Sequence, residues 1–352
     1  MLSCVDLFAG AGGFSLAARM AGFKVKAAVE LKKQACLTYR HNLCPNGETT
    51  LYEGDILDLS PKTIVNDNFT DIQCDLLLGG PPCQGFSVHR INSSGVSDPR
   101  NKLILRYFEF VKELQPKVFL MENVPGLLWE RHKSFLQEFY DAGKKSKYKV
   151  LPPIVLDARD FGVPQRRKRV FILGIRPDID LDIVWPPKRT HGDKKDLLNN
   201  PHLKPWVSCQ SIFDTATTKD DENDVHMNHT ESLINVFKST PINGGSRKDS
   251  TRILPCHTSH NGHTDVYGRI DPSLPGPTMT TACVNPSKGR FVHPVEHHGI
   301  TVRQAARFQT FPDWFVFKGG LMAAGEQVGN AVPVDMGKEI ISAIANALSN
   351  YK

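Results

Sequence analysis

The sequence predicts an α/β fold, a doubly wound sheet joined to a second, smaller, loop-rich domain. Three observations carry this. Short β-rich apolar runs alternate with helical patterns through the first half, the signature of strands linked by crossover helices. A glycine-rich segment follows the first strand directly. After Arg176 the pattern gives way to polar, proline-bearing, weakly periodic sequence.

Strands are expected near Leu2 to Phe8, Val25 to Glu30, Thr50 to Tyr52, Asp75 to Leu78 and Val118 to Met121. Leu103, Tyr107, Val111 and Leu114 recur at helical spacing, as do Phe135, Leu136, Phe139 and Tyr140, so helices fill the crossovers. Val150 to Leu156 and Val170 to Ile175 read as a closing strand pair around a polar segment. Pro186, Pro187, His191 to Asn200 and Thr215 to Asn228 mark the loop-rich domain. Helical patterning resumes at Thr301, and Val334 to Leu348 is a terminal helix with Met336, Ile340, Ile341, Ile344 and Leu348 on one side. The expected division is 1–185 plus 306–352 for the first domain and 186–305 for the second.

The totals exclude little. Length 352 suits two domains. Forty-three Lys and Arg against 37 Asp and Glu leave +6, which fits an anionic partner but is common elsewhere. There is no signal-peptide pattern behind Met1 and no apolar run long enough for a membrane span, so a cytoplasmic protein is expected, and its eight cysteines are expected to stay reduced.

Chemistry concentrates at strand ends. Ala9, Gly10, Gly12 and Gly13 form a strand-to-helix turn after Phe8, which lets backbone approach a nucleotide-like ligand; a plain tight turn is the competing account. Glu30, next to Leu31, ends the second strand, where a carboxylate can accept both ribose hydroxyls. Asp55, before Ile56, can accept an adenine amino group. Either acid alone also fits a solvated strand end.

Cys83 lies in Gly79 to Ser87, after two prolines that stiffen the turn and between glycines that keep it open. It is read as a reactive thiol or, alternatively, a buried inert one. Glu122 ends an apolar strand, where an ionised carboxylate is paired, protonated or functional. Arg167 and Arg169, two apart, are expected to point the same way and hold a planar carbonyl or phosphate, unless they are a solvated basic face. Cys256 to His263 matches no common zinc spacing, so no metal is expected.

In order, DLFAGAGGFS, Glu30, GDI, GGPPCQGFS, DPRNKL, MENVPG, QRRKR, RQAARFQTFPD and EQVGNAVP resemble the motif series of the cytosine-C5 DNA methyltransferase family, of prokaryotic or phage type. They cover 6–176 and 301–335. The resemblance implies a Rossmann-like, S-adenosylmethionine-dependent methyltransferase sheet and a target-recognition domain. By position, Cys83 resembles the nucleophile that adds to cytosine C6, Glu122 the carboxylate that binds N3 and N4, and Arg167 and Arg169 the arginines near the base and its phosphates. Phe8, Gly10, Glu30, Asp55, Ile56, Pro82, Leu103, Asn330 and Val332 resemble the S-adenosylmethionine shell, to which Ala9, Gly12, Gly13, Leu31 and Ala331 are adjacent. S-adenosylhomocysteine is then the product. Leu31 departs from the tryptophan common in relatives, and His298 from a nearby arginine.

The implied activity is DNA (cytosine-5)-methyltransferase acting on a flipped-out base of double-stranded DNA. Gln84, Ser87, Gln165, Arg247, Arg252, Arg269 and Arg290 are the expected DNA contacts, with Lys248, Asn261 and His263 as further candidates. A cognate restriction endonuclease acting independently, a monomer, and nucleoid association are further expectations. The competing readings are methylation of transfer RNA, a non-catalytic DNA-binding subunit of the same fold, and a nicotinamide oxidoreductase. The last lacks its usual G-x-G-x-x-G spacing, and no Cys-Phe-Thr signature of the transfer-RNA branch is present.

Overall fold

The computed structural model describes residues 1–70, 72–82, 101–251 and 265–351. The chain divides into two compact units, one of Met1–Asp157, Lys168–Lys188 and Met336–Lys352, the other of Ala158–Arg167 and Arg189–Asp335.

The first unit is built on an eight-stranded sheet. Its elements in chain order are β1 (Ser3–Leu7), α1 (Gly13–Met20), β2 (Lys24–Glu30), α2 (Lys33–Leu43), β3 (Thr50–Glu53), α3 (Pro61–Asn68), β4 (Leu76–Gly79), α4 (Asn101–Leu114), β5 (Val118–Asn123), α5 (Lys133–Lys145), β6 (Lys149–Val150), β7 (Ile154–Asp157) and β8 (Lys168–Ile175). Strands β3-β2-β1-β4-β5 are parallel, and β8 runs antiparallel beside β5. β1 and β4 are buried throughout, as expected of central strands covered on both faces. Tyr107 and Phe108 of α4, Phe119 of β5 and Phe139 of α5 pack edge to face in the core, with Tyr148 tilted against Phe119.

The order of the parallel strands places a switch point between β1 and β4, from which the chain winds outward in both directions. Ligands of open α/β sheets bind at the carboxyl ends of the strands there.

One strand expectation is corrected. Val150 to Leu156 is not continuous: β6 and β7 pair separately with the same edge of β8. Pro152 and Pro153 lie between them and have no N–H to donate to a ladder.

The second unit is loop-rich, with β9 (His191–Gly192), β10 (Lys204–Pro205), α6 (Lys194–Asn199), α7 (Gln210–Asp214), α8 (Glu231–Ser239), α9 (Val302–Phe308) and α10 (Leu321–Asn330). It differs from the expected division because 306–335 belongs to it. Arg303 on α9 forms a bidentate, buried ion pair with Asp221 (2.6 and 2.9 Å) and donates to the Phe315 carbonyl; Asn223 exchanges two hydrogen bonds with Phe317. Only α11 (Val334–Asn350), from Met336 onward, returns to the first unit. Among the described residues no helix is long and apolar enough to cross a membrane.

Candidate active site

The carboxyl ends of β1 to β5 carry the predicted residues of the first unit. Leaving β1, Phe8 takes φ +60°, Gly10 +57° and Gly12 +96°, so the turn reverses sharply into α1. At Gly12 a side chain is impossible on two counts: the left-handed backbone, and a Cβ that would lie 2.3 Å from Leu43 Cδ1. A Cβ at Gly10 meets nothing within 4 Å, so the turn is open above that residue.

Glu30 fixes this turn. One carboxylate oxygen accepts the Gly10 amide (2.8 Å) and the other the Lys32 amide (2.7 Å). Each oxygen keeps a second lone pair for a hydroxyl donor. Leu31 beside it is 63% exposed, an apolar side chain with no core to join. Asp55 accepts the Leu57 amide at 2.9 Å, while Ile56 is buried below. This set of carboxylates around an open glycine turn suits a ligand with hydroxyl and amino donors.

At β4, Gly79 ends the strand because a Cβ there would strike the Tyr107 ring at 2.4 Å. Asn123 donates to the Pro81 carbonyl (3.2 Å), which ties the Pro81-Pro82 turn to β5. Pro82 is exposed and Leu103 partly so. Cys83, Gln84 and Ser87 lie outside the described residues.

Glu122, on β5 beyond Gly79's partner Met121, pairs with Arg169 of β8 through a 2.8 Å contact. The β5–β8 register sets Glu122 opposite Phe171, which makes Arg169 its diagonal neighbour on the same face. Both side chains are largely buried. Burial pulls the Arg169 guanidinium below its ordinary value, and Glu122 counters that. A Cβ at Gly80 would sit 3.4 Å from Glu122 Oε2, so glycine there keeps the carboxylate accessible from the β4 turn.

Five predicted contacts sit in packed surroundings. Arg167 is the first of them. It is buried in the second unit and donates to the carbonyls of Met279 (2.7 Å), Gly329 (2.7 Å) and Ala331 (2.9 Å). Gln165 is also buried: it donates to Phe308 and to Gln309, and accepts the Met279 amide. Arg269 is wholly buried and donates to the carbonyls of Phe237, Thr240, His293 and Glu296 and to His297 Nδ1. Arg290 donates to Asp265 and to the carbonyls of Gly244, Gly245 and Arg269. Arg247 is buried in a single 3-10 turn. Guanidinium donors spent on backbone carbonyls, as at Arg167, Arg269 and Arg290, are not available to a phosphate. Lys248 is exposed, and Arg252, Asn261 and His263 lie outside the described residues.

Asn330 is exposed at the end of α10, with Ala331 and Val332 buried after it. Gln309 donates to the carbonyls of Val328 and Ala331, so this buried amide and Arg167 converge on one turn, with Gln165 donating to Gln309 behind it. His298 is packed rather than extended: its ring stacks on His226 at 3.9 Å and it contacts the Gly299 carbonyl through Nδ1. Among the described residues no cluster of His, Cys, Asp or Glu is placed to hold a metal ion.

A protein-family model described as C-5 cytosine-specific DNA methylase matches residues 2–346. The chain belongs to this family. Type II methyltransferase M1.HphI of Haemophilus parahaemolyticus is 32% identical over 351 residues, covering 99% of this chain and 88% of that protein. M.NgoPII of Neisseria gonorrhoeae is 31% identical over 352 residues, covering 99% and 96%. Among solved structures, an Escherichia coli protein assigned as a DNA modification methyltransferase encoded within a prophage matches with TM-score 0.77 and 26% identity, covering 99% of this chain and all of that one. The S. pombe Dnmt2 methyltransferase shares the fold, with TM-score 0.57 at 19% identity and full coverage of both chains.

A methylase of this family is a DNA cytosine-5-methyltransferase, and such enzymes generally take their methyl group from S-adenosylmethionine. Sequence reasoning missed a buried hydrogen-bonded chain beneath the glycine turn, in which Tyr39 donates to Ser15 and Ser15 to Asp6. The signal available was an acid inside an otherwise apolar strand, SCVDL.

Proposed function

We propose that this DNA cytosine-5-methyltransferase acts on a cytosine flipped out of a short, specific duplex sequence, through a covalent bond between Cys83 and C6. We propose further that it serves as the modification enzyme of a restriction–modification pair, or as a solitary one. The observation that carries this reading is the buried Glu122–Arg169 pair at the carboxyl end of β5, beside the Gly79–Pro82 turn that leads into Cys83.

Cytosine C5 is too electron-poor to take a methyl group unaided. The Cys83 thiolate adds to C6, forming an S–C6 bond and moving an electron pair toward N3 and O2, which makes C5 enamine-like. Glu122 accepts from the exocyclic amine with one oxygen and, carrying a proton on the other, donates to N3 as electron density builds there. Arg169 holds Glu122 in place and supplies positive charge near the base as electron density moves onto the ring. S-adenosylmethionine, when bound, supplies the electrophilic methyl, and S-adenosylhomocysteine leaves. The Phe8–Gly13 turn, Glu30, Asp55, Ile56, Pro82 and Leu103 would hold it. Loss of the C5 proton to a base and cleavage of the S–C6 bond then restore the thiolate and the aromatic ring.

The test is covalent capture. Duplex DNA carrying 5-fluorocytosine in its target site is expected to trap the wild type and not Cys83→Ser, while Cys83→Ser still binds S-adenosylmethionine in calorimetry. Near-normal turnover by Cys83→Ser, or methylation of transfer RNA in preference to duplex DNA, overturns the reading.

A further inference from the structure

Asp6 lies in β1, 1% exposed, directly before the turn at Phe8. A carboxylate in the middle of a sheet is costly to keep ionised unless something compensates it. The Ser15 hydroxyl donates to it at 2.6 Å, and the Ser15 backbone, in the first turn of α1, does so as well. The Tyr39 hydroxyl donates in turn to the Ser15 oxygen at 2.8 Å. Tyr39 is fully buried, and its ring lies against Gly12, where a Cβ would be 3.0 Å away. A hydrogen-bonded chain from α2 through α1 to β1 therefore runs beneath the glycine turn.

Among the described residues no cation answers this carboxylate. The titratable groups that act on it or feel it, among the described residues, are Glu30 from β2, Tyr39 from α2, Tyr107 from α4 and Cys4 on its own strand. Glu30, the nearest acid, also holds the Gly10 amide of the same turn. Two carboxylates thus flank a turn that is open above Gly10, and neither chain neighbour neutralises Asp6.

The missing positive charge is one that the cofactor brings and then loses. A sulfonium enters and a neutral thioether leaves, the rest of the molecule being unchanged. We propose that Asp6 is a specificity-determining residue of the cofactor site: held beneath the turn by Ser15 and Tyr39, its ionised carboxylate favours the sulfonium over the thioether product and so speeds product exchange. This rests on reading the Phe8–Gly13 turn as the cofactor site. It accounts for an acid that the strand would be better without.

Burial, opposed by the Ser15 bonds and reinforced by Glu30, pushes the Asp6 carboxyl up to about 7. The preference is therefore expected to fade at mildly acid pH, and asparagine mimics the protonated form.

The experiment is calorimetric titration of the full chain, without DNA, by S-adenosylmethionine and by S-adenosylhomocysteine at pH 6 and pH 8.5. At pH 8.5 the ratio of the two affinities should fall roughly tenfold on Asp6→Asn, and at pH 6 the two proteins should differ little. Ionisation of the ligands themselves is common to both proteins and cancels in the comparison. Tyr39→Phe keeps the carboxylate but weakens the Ser15 donor, so it should move the midpoint of the pH dependence upward. That variant decides the matter should Asp6→Asn not fold. An affinity ratio that Asp6→Asn leaves unchanged at both pH values, or a midpoint that Tyr39→Phe does not move, overturns the proposal while leaving the cofactor reading intact. Failure of the wild type to bind either ligand overturns both.

Discussion

Asp6→Asn should stabilise the protein, and more so the higher the pH. In the fold, burial raises the Asp6 carboxyl from 3.8 to about 7. The folded state thus holds a proton that the unfolded chain has already released, and stability drains away as pH rises through that window. The contribution is fully present below about 3.8 and gone above about 7. Three units at about 1.36 kcal/mol each make the full cost on the order of 4 kcal/mol. That is large against a typical domain stability of about 5–15 kcal/mol. Asparagine has nearly the same shape, still accepts from Ser15, and never ionises. Urea unfolding of cofactor-free wild type and Asp6→Asn at pH 4.5 and pH 8.5 gives the comparison. The advantage of Asp6→Asn should grow by about 3 kcal/mol between those pH values. Other titrating groups contribute equally to both proteins and drop out. An advantage constant to within about 0.5 kcal/mol would refute the argument, because it would mean that the carboxylate is neutralised in the fold.

Further consequences concern the pairs and clamps. Glu122→Ala leaves the Arg169 guanidinium buried without its carboxylate, and should lower stability by about 3 kcal/mol as well as abolish methylation; thermal melts and a methyl-transfer assay check both. Arg269→Ala should destabilise the chain by about 3 kcal/mol or more in urea unfolding, yet leave the salt dependence of duplex binding unchanged, whereas exposed Lys248→Ala should reduce that salt slope by about one if Lys248 contacts a phosphate. In the second unit, burial and neighbouring His298 and Arg269 push His293 down to about 4, and His229 and His298 are also lowered, first by burial. The unfolded chain takes up protons at these sites before the folded one does, so they lend stability above about pH 6.5 that is lost as pH falls toward 4. His293→Asn should flatten the fall of the melting temperature between pH 6.5 and 4.5.

These two pH effects run in opposite directions because burial favours the neutral form of each group, which is the protonated acid at Asp6 and the unprotonated imidazole at His293. What differs between the units is how their buried backbone is satisfied, and that explains what the sequence made legible. In the first unit most backbone groups are satisfied by ladders and helices. Apolar runs and helical spacing report those directly, which is why the strands, the glycine turn and the strand-end positions of Glu30 and Glu122 could be read in order. The misread stretch, 150 to 156, failed where Pro152 and Pro153 interrupt the ladder, a detail that apolarity does not reveal.

Among its described residues the second unit has only two-residue strands, so its loops leave many carbonyls without ladder partners. Arginine, with five N–H donors on a planar group, fills that need. Arg167 and Arg269 between them satisfy seven carbonyls from distant parts of the unit. A basic residue in a polar segment looks the same in sequence whether it faces a phosphate or a buried carbonyl; its partners alone distinguish the two. Net charge therefore overstates the surface available to DNA, and the phosphate contacts are to be sought among exposed cations such as Lys248. Asp6 was obscured for the complementary reason. Its partners Ser15 and Tyr39 lie on two different helices, and only the folding of α1 and α2 against β1 turns one acid in an apolar strand into a carboxyl held beneath the glycine turn.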